Sequence, residues 1–130
     1  MAELDLVVRN AKIVTAERQT EGDIAVKGGQ VVEIGPEIKG KGSREIDAGG
    51  KFVLPGGIDS HCHIEQKSGF GIMCADDFYS GTVSAAFGGT TTVIPFAAQH
   101  RGMSLRQVVK DYHEAATPKA VIDYAFHLIV

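Results

Sequence analysis

His61 and His63 stand two residues apart in the run Ile58-Asp59-Ser60-His61-Cys62-His63. In a strand the side-chain period is two, so both imidazoles leave from one face. Two neutral imidazoles side by side suit a transition metal, zinc above all, held at about 2.0–2.1 Å from a nitrogen of each ring. Asp59 falls on the same face one step earlier, where it either supports such a site or fills an interior layer. Cys62 points to the other face, as a small buried residue rather than a ligand.

The elements around the pair follow from local patterning. Leu4 to Val8 and Lys12 to Val14 read as short strands. Asp23 to Lys27 and Gln30 to Ile34 read as two more, and Gly28-Gly29 between them is a hairpin signal. Glu45 to Asp47 and Lys51 to Leu54 add further strands before the break at Pro55-Gly56-Gly57. The texture then changes. Ile58 to His63 reads as a strand and Asp76 to Phe87 as a helix, with Phe78, Thr82, Ala85 and Ala86 on one face. Thr90 to Ile94 reads as a buried strand. Ser104 and Gln107 form a capping-box pattern that opens a helix with Leu105, Val108, Val109, Tyr112, Ala115 and Ala116 on one stripe. Pro118 ends it, and Ala120 to Val130 is strand-like.

Strands alternating with amphipathic helices predict βαβ units and a parallel sheet. In parallel sheets, open or closed, sites gather at the carboxyl ends of strands, which is where His61 and His63 stand. The chain after Gly56 suffices for about two and a half such units, whereas a closed eight-stranded barrel takes about 250 residues. The sequence runs to Val130 inside an apolar strand, which predicts the N-terminal portion of a longer protein. An unpaired strand edge in such a piece predicts poor solubility or self-association.

Composition bounds the function. The 130 residues are 44% hydrophobic and 22% charged, an ordinary globular balance that excludes disorder and coiled coil. Thirteen basic and sixteen acidic side chains give a net charge of −3, which predicts no nucleic-acid partner. Arg101, Arg106 and Lys110 are interspersed with Asp111 and Glu114, as on a solvated helix face. Two cysteines, Cys62 and Cys74, are too few for a disulfide scaffold. No apolar run reaches the ~18 residues of a membrane span. The acidic start Ala2-Glu3-Leu4-Asp5 is unlike a signal peptide. These features predict a cytoplasmic address with no membrane partner.

Leu54-Pro55-Gly56-Gly57-Ile58-Asp59-Ser60-His61-Cys62-His63 resembles the first-strand signature of the amidohydrolase superfamily. Ala75 to Thr82 and Ala85 to Thr91 are similar to its dihydropyrimidinase and hydantoinase branch, as are Asp123-Tyr124-Ala125-Phe126-His127 and the opening Val7 to Val14. The resemblance spans nearly the whole chain. It implies an α/β fold: residues 1–55 form a small β unit, part of a β-sandwich, and residues 56–130 begin a (β/α)8 TIM-type barrel. It implies a metal-dependent cyclic amidase that opens a dihydropyrimidine or hydantoin ring at an amide C–N bond. An allantoinase-type cyclic amidase is the related alternative, and a non-catalytic scaffold or signalling relative the contrasting one. Retention of both histidines argues against the scaffold.

In the resembling family two divalent metals, most commonly zinc, are bridged by a carboxylated lysine and a hydroxide. The metals activate water and polarise the scissile carbonyl, and a carboxylate moves the proton. His61 and His63 match the first two ligands. The bridging lysine, two further histidines and the catalytic aspartate belong to later strands, so no catalytic residue falls in this segment, and the segment alone is predicted inactive. Lys110, on a polar helix side, and Lys119, beside Pro118, do not stand where the bridge belongs. The resemblance also implies a homo-oligomer, a tetramer, acting on a small cyclic amide.

Related dihydroorotases carry an arginine where this sequence has Glu65, which argues against a carboxylate-bearing substrate. The loop Gln66 to Met73 departs from the usual sequence of the branch. Phe70, Ile72 and Met73 either wall a pocket for the ring's substituent or pack the loop onto the barrel. His127, in an apolar strand, is predicted to be a buried core histidine. His100 and His113 are predicted to be solvated, and Cys74 to be a small residue at a helix entry.

Overall fold

The computed structural model describes residues 4–130; Ala2 and Glu3 of the acidic start lie outside the described residues. The chain divides into two compact units, Met1–Pro55 and Gly56–Val130.

The first unit is a five-stranded sheet built from β1 (Leu4–Val14), β2 (Gln19–Lys27), β3 (Gln30–Gly35), β4 (Gly42–Asp47) and β5 (Phe52–Val53). The order is β3-β2-β1-β4, with β5 also on β1. β2 and β3 form the hairpin expected from the Gly pair. Lys27 faces Gln30 across it, and Gly28 and Gly29 take φ of 59° and 74°, the double left-handed turn that matches strand twist. The two short strands expected at the start are one strand. Its pairing with β2 slips between Val8 and Ala11, where Asn10 has a φ of 53°.

Asp23 fixes that irregularity. Its carboxylate accepts from the Asn10 amide at 3.0 Å and the Ile38 amide at 3.1 Å, and Arg9 pairs with it at 3.0 Å. Arg9 also donates to the Ile38 and Gly40 carbonyls and pairs with Glu45 at 3.1 Å. One guanidinium thereby ties β1, β2, β4 and the loop between β3 and β4. Beneath this network Ala11, Ile13, Ile24 and Ala48 form the apolar core.

The second unit contains β6 (Gly57–Cys62), α1 (Phe78–Phe87), β7 (Thr90–Ala98), α2 (Leu105–Ala116), β8 (Asp123–Tyr124) and β9 (His127–Ile129). All its ladders are parallel, with β7 between β6 on one side and β8 and β9 on the other. This is the strand–helix–strand–helix–strand order read from the patterning. Ala120 to Val130 is not one strand. β8 and β9 are separated at Ala125 and Phe126, where the Ala125 amide donates to the Val93 carbonyl at 3.1 Å.

β7 runs through Pro95, which has no N–H to give to a ladder. The β6–β7 register shifts there: Asp59 faces Val93 and Cys62 faces Pro95, so β6 carries one extra residue in a bulge. Gly56 is required for close approach, since a Cβ there would lie 2.1 Å from the Thr91 hydroxyl. Helix α1 is capped by Asp77, which accepts from the Ser80 amide at 2.8 Å while the Ser80 hydroxyl accepts from the Asp77 amide at 3.1 Å. The box expected at α2 forms only in half. Ser104 accepts from the Gln107 amide at 3.2 Å, but the Gln107 side chain bonds Asp111 at 2.6 Å instead. Of the predicted α1 face, Phe78 and Thr82 are buried and Ala86 is exposed. The core joins Ile64, Phe78, Val93 and Ala116, with Cys62, Tyr112, Tyr124 and Phe126 packed against them. Among the described residues no helix is long and apolar enough to cross a membrane.

The Asp23 network predicts a pH dependence. Burial by itself raises the Asp23 carboxyl, but the Ile38 amide, Arg9 and the Asn10 amide outweigh it and hold it below its ordinary value. Glu45 is lowered by Arg9 first, and Asp47 by Asn10 first. These groups bind protons more weakly folded than unfolded. Their contribution is therefore complete above the ordinary carboxylate pKa of about 4 and is lost as pH falls below it. Asp23→Asn removes the charge but keeps the shape. It is expected to destabilise the protein by about 2–3 kcal/mol at neutral pH and to flatten the acid limb of a urea-melt stability profile. An unchanged acid limb contradicts the assignment.

Candidate metal centre and adjoining cavity

β6 carries His61 near its end, and His63 is the first residue beyond it. The Asp59 carboxylate accepts from the backbone amide of His61 at 3.0 Å, bracing the bulge just before the pair. The Asp59 side chain thus serves the backbone of the site. Cys62 turns to the opposite face and packs in the helix-side core. Burial there raises its thiol, and the Asp59 charge raises it further, so it stays protonated and unreactive.

The His61 and His63 ring centroids are 5.8 Å apart. Both rest on Phe96 of β7: His61 edge-on at 4.7 Å, His63 stacked at 5.2 Å with 19° between the planes. Phe96 is the residue that the sequence reading did not single out. The only signal for it was that the β-branched run from Thr90 continues, after Pro95, into further apolar residues. His127 of β9 also packs on this ring, at 5.3 Å. The expectation that His127 is buried is corrected, for it is exposed on the face that carries His61 and His63. Strand alternation explains this, because the neighbouring Phe126 takes the core side.

His63 Nδ1 lies 2.5 Å from the side-chain oxygen of Gln66. With the Gln66 oxygen as the acceptor, Nδ1 is the donor and Nε2 keeps its lone pair. The donor set fits a divalent metal. One nitrogen of each ring at about 2.0–2.1 Å from a shared ion brings the centroids within roughly 6 Å of each other, as the pair is. Among the described residues no cluster of three or more His, Cys, Asp or Glu is arranged around one ion.

A cavity of about 450 Å³ opens beside His63, walled by Gln66, Phe70, Ile72, Met73 and Cys74. Phe70 is 94% exposed, Ile72 70% and Met73 51%, so none of the three is packed into the core. Ser68 closes this loop upon itself, its amide donating to the Ile72 carbonyl at 2.8 Å. Another depression, of about 440 Å³, lies by Asn10, Lys12 and Asp23 in the first unit. Of its two carboxylates, Asp23 is already committed to the network above.

Glu65 is not in the cavity wall by His63. It takes a φ of 49°, an unusual conformation for a residue with a side chain, and three contacts hold it. Its amide donates to the Asp76 carbonyl at 2.9 Å, and its carboxylate accepts from the Phe78 amide at 2.9 Å. The carboxylate also pairs with Lys119 at 2.6 Å. The Lys119 ammonium is raised by Glu65 first and then by Asp77, which lies 3.5 Å away. Glu65 thus anchors the turn after the histidines to the start of α1 and the end of α2. Lys110 makes only an exposed pair with Glu114 at 3.6 Å. His100 and His113 are exposed, the latter lying edge-on to Phe126 at 5.0 Å. Cys62 and Cys74 are free thiols.

The architecture has counterparts in known proteins. The amidohydrolase family profile matches residues 52–128, more than half of the chain, and the chain belongs to that family. Within it, the chain is 44% identical to a D-hydantoinase of Geobacillus stearothermophilus, over 95% of this chain and 26% of that protein. It is also 44% identical to a D-hydantoinase of Rhizobium radiobacter, over 98% of this chain and 27% of that protein. Among solved structures, a D-hydantoinase superposes with a TM-score of 0.92 at 43% identity, covering 98% of this chain and 27% of that one. A dihydropyrimidinase from Brevibacillus agri gives 0.90 at 43% identity, covering 95% and 27%. The chain therefore spans about a quarter of the length of these relatives, and its second unit is the beginning of a (β/α)8 barrel.

The stacking on Phe96 has a spectroscopic consequence. Phe96→Leu removes the ring current over His63 and is expected to move the His63 ring-proton resonances downfield toward their ordinary positions in a ¹H–¹³C spectrum. Unmoved resonances would mean that the two rings are not stacked in solution.

Proposed function

We propose that the protein carrying this chain is a cyclic amidohydrolase that cleaves the ring amide C–N bond of hydantoins or dihydropyrimidines. The observation that carries this is the His61–His63 pair, 5.8 Å apart, at the carboxyl end of the first barrel strand and beside an apolar-walled cavity. The D-hydantoinase and dihydropyrimidinase names of the similar proteins support the substrate class. In this reading His61 and His63 are ligands of a divalent metal, zinc, with a second ion and a bridging carboxylated lysine supplied from outside these residues. When bound, the metal would lower the pKa of a water and polarise the ring carbonyl.

The residues of this chain bind and orient. Phe96 supports both imidazoles and sets the plane of His63, and the Asp59 carboxylate fixes the backbone at His61. Phe70, Ile72 and Met73 offer an apolar wall for the substituent on the ring carbon. Glu65 stays away from substrate, bound to Lys119. In the same reading residues 1–55 belong to a β-sandwich and residues 56–130 are the first βα units of the barrel. The assembly is a homotetramer by family resemblance. A cytoplasmic address belongs to the same reading.

His61→Ala and His63→Ala in the intact protein are each expected to remove most of the bound metal. Each is also expected to lower kcat/KM on hydantoin and dihydrouracil by about a thousandfold or more, since metal stabilisation of several kcal/mol converts at one decade per ~1.4 kcal/mol. Full metal content with undiminished turnover in either variant contradicts the assignment.

A further inference from the structure

We propose that Gln66 is a positioning residue for His63, its side-chain oxygen selecting which ring nitrogen is presented to a metal. This rests on the reading of His61 and His63 as ligands and assigns a residue that the reading leaves unused.

Stacking on Phe96 fixes the plane of the His63 imidazole, at 19° to the phenyl ring. It does not fix the positions of the nitrogens within that plane. A half-turn about the Cβ–Cγ bond exchanges Nδ1 with a ring carbon and shows Phe96 an equivalent face. The 2.5 Å contact from Nδ1 to Gln66 Oε1 removes that degeneracy. It retains one flip state and one tautomer, with the hydrogen on Nδ1 and the lone pair on Nε2. Histidine ligands of metals usually donate their other N–H to a fixed acceptor, which orients the ring and raises its basicity.

Gln66 is itself held. Its carbonyl accepts from the Cys74 amide at 3.0 Å. The residue before it is the Glu65 anchor, tied to Lys119 at 2.6 Å and to the Phe78 amide at 2.9 Å. The acceptor therefore stands on a braced turn, not on the exposed tip of the loop. Gln66 also walls the cavity with Phe70, Ile72 and Met73, so the loop that borders the cavity is joined to a ligand through this one amide.

The test is zinc affinity of the intact protein, measured by competition with a chromophoric chelator after metal removal. The parent, Gln66→Met, Gln66→Glu and His63→Ala are compared. Methionine keeps the length and removes the acceptor, and glutamate restores one. Gln66→Met is expected to weaken zinc binding about tenfold or more, and Gln66→Glu to stay within about threefold of the parent or bind more tightly. Gln66→Met within twofold of the parent, with His63→Ala impaired, overturns the positioning role and leaves the ligand assignment intact. Equal losses in Gln66→Met and Gln66→Glu make Gln66 a packing residue and likewise overturn it. Parent-like binding by His63→Ala overturns the ligand assignment and this proposal with it. Should Gln66→Met not fold, Gln66→Asn, too short to reach Nδ1, replaces it with the same expected loss.

Discussion

The parallel pairing of β6 with β7 is the constraint on which the site depends. It sets the bulge opposite Pro95, where β6 carries one residue more than β7. With the register shifted there, His61 near the end of β6 and His63 just beyond it stand over a single side chain of the next strand, Phe96. A slip of one residue would turn the pair toward the helix layer and bring Cys62 to the front. The chemistry of the site is thus a property of strand register first and of histidine second.

Behind the pair the fold spends its polar groups on holding the turn that follows. Glu65 sits in a left-handed conformation that costs free energy, and a carboxylate with two donors and a backbone bond offset that cost. Lys119 comes from the far end of α2, so the turn after the histidines is tied to the second βα unit as well as to α1. The loop beyond it is left with exposed apolar side chains and few tertiary ties.

Much of this was legible in the residues. The His-x-His spacing, the Gly28-Gly29 hairpin and the apolar stripe of α2 are local signals, each decided within a few positions by a period of two or 3.6. The resemblance to amidohydrolases also rested on contiguous motifs, and the family match agrees with it. What was not legible is non-local. Glu65 and Lys119 are far apart in sequence, and nothing near Glu65 shows that its carboxylate has a partner. Phe96 gains its role only from the β6–β7 register. His127 was read as buried because its neighbours are apolar, but alternation puts Phe126 in the core and His127 on the opposite face. At α2 the Gln107 side chain donates to Asp111 and does not accept from the Ser104 amide, which the capping pattern could not decide.

The most direct measurement is anomalous diffraction at the zinc edge from crystals of the intact protein grown with zinc. The account predicts a peak at about 2.0–2.1 Å from one nitrogen of His61 and one of His63, the two rings still resting on Phe96. A peak elsewhere, with the two imidazoles free of it, would contradict the central claim that this strand end is a metal centre.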